Sequence, residues 1–191
     1  MKVAIDTNSL LSFVRYYLPF DDKSILFDSF KTRIEKGEIL IIDKILEECE
    51  YTSKGAVLDS LSYLTDKAYL KKYKIPVNTE FILAPSPAKF LRQVDNQFIN
   101  AVIRKMLTDI EYENRKNDFM NSADMKLILC CLNLKKENPL EEIYLVTEET
   151  EGSNDNKTFK KIPAICKLLE LETITLPQLL KKYEQIGLHF R

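Results

Sequence analysis

Four short apolar runs, each followed by a helical pattern, constrain what this chain can fold into more than any other feature. They lie at 2–6, 38–42, 143–146 and 173–176. The second, Glu38-Ile-Leu-Ile-Ile42, and the third, Ile143-Tyr-Leu-Val146, are continuous rather than alternating, as expected of strands covered on both faces. Strands that alternate with helices build a parallel sheet with right-handed crossovers. The expected fold is therefore α/β: a three-layer α/β/α sandwich around a central parallel sheet of about four to five strands.

Helices are expected at 8–18 and at 23–36, the latter ended by Gly37. Another follows Asp43 as N-cap, with Ile45, Leu46 and Cys49 on its core face. The spacing of Phe90, Leu91, Val94, Phe98, Val102 and Leu107 predicts one amphipathic helix over 88–107. Ser122 suits the N-cap of an almost wholly apolar helix reaching Leu132, Pro163 the first turn of a helix to Glu170, and Pro177 the start of a last one. Residues 109–118 read as a polar connection and 152–156 as a Gly/Ser/Asn/Asp loop. The chain reads as one domain over 1–191, with 53–117 a helical insertion interrupted by Pro76, Pro85 and Pro87.

Composition removes several kinds of chemistry. The single histidine, His189, rules against a histidine-based triad or a zinc site with several imidazoles. Cys49, Cys130, Cys131 and Cys166 form no CxxC pair and sit in apolar runs, so they are expected to be buried, reduced thiols. No stretch approaches the roughly 18 apolar residues of a membrane span. Asp6 and Asn8 interrupt what would be the apolar part of a signal peptide, so a cytoplasmic location is expected. A net charge of −1 means that any attraction to nucleic acid must come from local patches.

The chemistry that remains is acidic. Asp6 ends the first strand and Glu149 follows the third; Glu48 lies in the first two turns after the second strand, and Asp124 in the first turn of the most apolar helix. Strand ends and the starts of the following helices share one edge of a parallel sheet, the edge where ligands collect. Carboxylates gathered there raise one another's pKa unless a divalent cation holds them ionised. An all-oxygen set selects a hard ion, Mg²⁺ or Mn²⁺, and such ions bind water and phosphate oxygens together. Each acid also has a purely structural reading. Asp6 can cap the next helix, Asp124 can serve the helix dipole, and Glu48 and Glu149 can belong to solvated acidic runs.

Asp6-Thr7-Asn8 after a short strand, an acid after the second strand, Ser122-Ala123-Asp124 opening an apolar helix and Val146-Thr147-Glu148-Glu149 ending a later strand together resemble the PIN-domain nucleases. The ending, Lys161-Ile-Pro-Ala-Ile-Cys166 and then Leu176-Pro-Gln-Leu-Leu180, looks like that of a PIN-like subfamily. The resemblance spans roughly 1–50 and 118–190. It implies an endoribonuclease whose catalytic and metal-binding acids are Asp6, Glu48, Asp124 and Glu149. Glu48 is preferred over Glu47, and Glu149 over Glu148. Many members carry Asp at the fourth position, and Glu149 is one methylene longer. Asn8, Ser122 and Thr147 resemble the supporting polar residues that orient water or an acid.

The resemblance further implies an RNA substrate, a type II toxin–antitoxin role with a protein antitoxin, and a homodimer. Lysine and arginine clusters at Lys71-Lys72-Lys74, Arg115-Lys116 and Lys157-Lys160-Lys161 are candidate backbone contacts, the last following the acidic edge directly. Competing readings are a catalytically silent PIN-like scaffold binding RNA or protein, a phosphatase with an aspartyl nucleophile, disfavoured by Asn8 where a second Asp belongs, and a DNA substrate.

Overall fold

The computed structural model describes residues 1–150 and 157–183. The loop expected at 152–156 and His189 lie outside the described residues. Four strands, β1 (Lys2–Ile5), β2 (Ile39–Leu40), β3 (Ile143–Val146) and β4 (Glu172–Ile174), form one all-parallel sheet in the order β2-β1-β3-β4. Every residue of β3 and the last three of β1 are buried, because helices cover both faces of the sheet.

Eleven α-helical segments surround the sheet among the described residues. They are α1 (Thr7–Ser12), α2 (Ile25–Glu35), α3 (Asp43–Tyr51), α4 (Ala56–Ser60), α5 (Lys67–Tyr73), α6 (Pro87–Gln93), α7 (Ala101–Arg104), α8 (Asp109–Asn121), α9 (Ala123–Glu137), α10 (Ile162–Leu168) and α11 (Leu176–Lys182). Helix α9 packs on β1 and β3, α10 on β4 and α9, and α2 on β2, completing a three-layer α/β/α sandwich. None of these helices is long and apolar enough to cross a membrane.

Connectivity decides where a site can form. The chain leaves β1 for β2 on one side, then crosses to place β3 on the other. Strand order therefore reverses between β1 and β3, and the crevice outside their carboxyl ends is the place where open α/β sheets take ligands. Ile5 pairs with Val146, and the Asp6 N–H continues the ladder to the Val146 carbonyl at 3.0 Å. Asp6 and Thr147 consequently emerge side by side at that crevice.

Several sequence expectations need correction. The helix expected at 8–18 is α1 followed by a π turn, Phe13–Tyr17, and a 3₁₀ turn, Leu18–Phe20. The apolar run 38–42 pairs with β1 only over Ile39–Leu40; beyond it, Val77 bridges Ile42, through its N–H to the Ile41 carbonyl at 2.9 Å and its carbonyl to the Asp43 N–H at 3.0 Å. Asp43 is the first helical residue, not the N-cap, and its carboxylate holds the Thr79 N–H and hydroxyl. The single helix expected over 88–107 stops at Ile99 and Asn100, where the backbone becomes extended to bridge Phe159. Val102 is left 62% exposed, so apolar spacing alone overstated that helix.

The polar connection expected at 109–118 is the helix α8. It has little apolar periodicity, but Thr108 and Glu111 form a reciprocal capping box at its start. Lys116 binds Asp95 at 2.5 Å and Tyr112 donates to the same carboxylate, fixing the helix laterally. Helix α8 runs past residue 117 and leads directly through Ser122 into α9, so the expected 53–117 segment ends within a continuous helical element.

Candidate acidic site at the sheet edge

Asp6 is the deepest of the acids, 4% exposed. Its extended backbone makes it the N-cap of α1, with Oδ1 accepting the Ser9 N–H at 2.6 Å. The capping role and a site role coexist, since this contact engages one of two oxygens. Burial raises the Asp6 pKa; the Ser9 hydroxyl, the Thr147 hydroxyl and the Ser9 N–H oppose the rise, and the charge of Glu148 adds to it. The Ser9 hydroxyl is fully buried and, among the described residues, makes no hydrogen bond of acceptable geometry, although it stands near enough to lower Asp6.

Asp124 occupies the first turn of α9, where Ser122 caps the helix by accepting the Met125 N–H at 3.3 Å and donates to the Phe119 carbonyl at 2.7 Å. Its side chain keeps access to water yet is crowded by protein atoms. That crowding, followed by the charges of Glu149, Glu48 and Asp6, pushes its pKa up to about 6; Lys157 pulls the other way. The three acids that act on Asp124 are the other three singled out from the sequence. The fold thus brings Asp6, Glu48 and Glu149 within electrostatic reach of Asp124.

Glu48 lies in the second turn of α3 and reaches the site through Thr7, whose hydroxyl donates to Glu48 Oε2 at 2.6 Å. Thr7 was not singled out from the sequence, although it is the middle residue of the Asp-Thr-Asn motif. Only its burial, 5% exposed and facing α3, reveals the role. Asn8 is exposed on α1. Thr147 is buried, and its hydroxyl accepts the Glu149 N–H at 3.1 Å.

The adjacent Glu148 and Glu149 diverge. Glu149 Oε2 accepts the Ile162 N–H at 3.1 Å, at the start of α10, while Glu148 Oε1 accepts the Leu176 N–H at 2.8 Å, at the start of α11. Each acid supplies a partner to a helix start, which the helix dipole favours. Glu149 acts electrostatically on Asp124, and Glu148 acts on Asp6 and, secondarily to burial, on Tyr17. Glu148 is therefore a fifth acid of the edge, which the choice of one glutamate over the other had set aside.

The donor set is all oxygen and its charges act against the ionised form of Asp124, which suits a hard divalent cation. In the structure it is an open set: among the described residues no three acidic, histidine or cysteine side chains are drawn together as direct ligands. Glu48 and Glu149 are instead turned toward Thr7 and Ile162. Asp6 and Asp124 could hold an ion directly, with Glu48 and Glu149 reaching it through water or by turning a side chain. Another cleft, lined by Arg33, Glu38, Glu142, Lys182 and Tyr183, opens at the opposite, amino edge of the sheet and contains none of these acids.

Residues 77–186, more than half of the chain, match the model of a family described as a domain of unknown function, DUF4411. No curated protein and no solved structure matches the chain.

Proposed function

The chain belongs to the DUF4411 family, and from the chemistry of its acidic edge we propose that it is a Mg²⁺- or Mn²⁺-dependent endoribonuclease. The observation that carries this reading is the placement of Asp6 at the point where strand order reverses, with Asp124 in the first turn of α9 near enough to be acted on by Asp6, Glu48 and Glu149. Ionising Asp124 beside three other acids costs free energy without a cation, and a divalent ion bound there removes that cost. The resemblance of Asp6-Thr7-Asn8, Ser122-Ala123-Asp124 and Val146-Thr147-Glu148-Glu149 to the PIN-domain nucleases points the same way.

In this reading Asp6 and Asp124 hold the ion, and Glu48 and Glu149 complete its shell directly or through water. When bound, the ion lowers the pKa of a coordinated water and stabilises charge on phosphate oxygens. The protein's own groups prepare the place. Thr7 fixes the Glu48 carboxylate, Thr147 orders the turn that carries Glu149, and the Ser9 N–H fixes the Asp6 rotamer. With the resemblance as its only support, the biological role proposed is the toxin of a type II toxin–antitoxin pair, acting as a homodimer; the cytoplasmic location proposed rests on the sequence reading alone. A small DNA-binding protein encoded beside this gene would support that role.

The test is RNA cleavage with added Mn²⁺, together with calorimetric Mn²⁺ titration, for the wild type, Asp6→Asn and Asp124→Asn. Both substitutions are expected to abolish cleavage and weaken Mn²⁺ binding at least tenfold. Cleavage that survives both substitutions overturns the proposal. Competing RNA and DNA oligonucleotides in one assay distinguish the two substrates. The open arrangement of Glu48 and Glu149 favours one alternative, a catalytically silent scaffold, which would show no Mn²⁺ site dependent on Asp6.

A further inference from the structure

Helix α8 carries one face that grips the chain on its way back from the acidic edge. Tyr112, Arg115 and Phe119 are spaced by three and four residues and so share that face. Phe119 stacks on Phe159 with ring centroids 4.1 Å apart and planes 2° from parallel, and Tyr112 lies 6.3 Å from the same ring. Between them Arg115 Nη1 donates to Thr158 Oγ1 at 2.8 Å.

A second element holds the same stretch through its backbone. The Asn100 N–H donates to the Thr158 carbonyl and the Lys160 N–H to the Phe98 carbonyl, both at 2.8 Å, framing the antiparallel bridge between Ile99 and Phe159. Two residues beyond Lys160, the Ile162 N–H ends on Glu149. Thr158 and Phe159 are thereby buried, while Lys157 and Lys160 on either side are exposed. Lys160 is bonded through its own N–H and Lys157 adjoins the bonded Thr158, so engaging a ligand costs less ordering entropy than it would from a free loop.

The position of this strap matters electrically. A polyanion approaching the acidic edge is repelled unless cations stand beside it, and the net charge of −1 supplies no general attraction. Lys157 is near enough to act on Asp124. Among the described residues, the charged groups shown beside the strap are Glu149 and Asp124 from the acidic edge and Arg115 from α8, while Lys116 is engaged by Asp95. Resting on the nucleic-acid reading given above, we propose that residues 157–160 cradle the phosphate backbone of an RNA strand, with Lys157 and Lys160 as the contacts and Arg115 and Thr158 as positioning residues.

The test is the affinity of the full chain for a short single-stranded RNA, with Ca²⁺ in place of Mn²⁺, between about 50 and 200 mM salt. Lys157→Met and Lys160→Met are each expected to flatten the logarithmic salt slope by about 0.7, one lost phosphate contact on a single strand. Lys136→Met, about 18 Å along α9 from Asp124, is expected to leave it unchanged. Thr158→Val keeps every charge; it should weaken binding about fivefold and flatten the slope, and Thr158→Ser should restore both.

Wild-type slopes in both lysine variants, or an absence of RNA binding by the wild type, overturn the cradle. Should Thr158→Val fail to fold, the exposed lysines decide the matter. Slope loss in a protein that cleaves no RNA upholds the cradle and removes the hydrolytic reading. Mn²⁺-dependent cleavage with unchanged slopes in the lysine variants does the reverse.

Discussion

The Thr7 hydroxyl donates a 2.6 Å hydrogen bond to Glu48 Oε2, tying the first turn of α1 to the second turn of α3 across 41 residues of sequence. The bond joins the residue after the first acid to the second acid. It makes the position of Glu48 a consequence of β1, although Glu48 sits exposed on another helix.

Thr7→Val removes this donor while keeping the shape of a buried side chain. We expect a loss of about 1 kcal/mol of stability, below the roughly 1.5–3 kcal/mol of a hydrogen bond to a charged group because Glu48 is solvated. Mn²⁺ affinity should fall as well, since Glu48 is no longer held toward the acidic edge. Urea unfolding and calorimetry measure the two effects. A variant with unchanged Mn²⁺ affinity would mean that Glu48 takes no part in ion binding.

The raised pKa of Asp124 fixes the sign of a pH effect. Its folded carboxyl holds a proton more tightly than the unfolded one, whose reference value is 3.8. The associated stability is fully present below about pH 4 and is lost as pH rises through about 6. In chelator the wild type should therefore lose stability across that window relative to Asp124→Asn, which cannot ionise. The difference at neutral pH is on the order of 1 kcal/mol once solvent screening of this accessible group is allowed for. Urea midpoints of both proteins across that window test this, and parallel pH curves would refute it. Added Mn²⁺ should reverse the ranking, because an ion bound to the ionised carboxyl stabilises only the wild type.

All four cysteines are free and buried. Burial pushes the Cys49 and Cys166 thiols up to about 12 and Cys130 up to about 11, and raises Cys131 well above its ordinary value. At mildly alkaline pH the native protein should therefore react negligibly with an aromatic disulfide reagent, and denaturant should release four reactive thiols. Rapid modification of any one thiol in native protein would contradict this packing.

Much of the fold is written locally. The continuous apolar run of β3 requires cover on both faces, and Ser122 three residues before Met125 announces the start of α9 with Asp124 in its first turn. Asp6 at the end of β1 follows from the abrupt change from Ile5 to polar residues. Each of these signals rests on a few neighbouring residues, which is why they can be read without knowing the rest of the chain.

Helix α8 shows where that legibility stops. Its side chains are mostly polar, so no apolar stripe marks it; its stability comes from a capping box and from partners as distant in sequence as Asp95, Thr158 and Phe159. The same holds for Asp43, whose choice of Thr79 across 36 residues makes it a staple instead of a cap.

The order of strands, helices and acids along the chain is thus a property of local pattern: propensity, capping and burial demand act over a few residues. Which of Glu148 and Glu149 faces Asp124, how Thr7 recruits Glu48, and how α8 and the bridge at Ile99 hold residues 157–160 beside the acids depend on crossovers that bring distant segments together. Those contacts carry no local signature, because the groups that make them meet only after the sheet has formed and its strand order has reversed at β1.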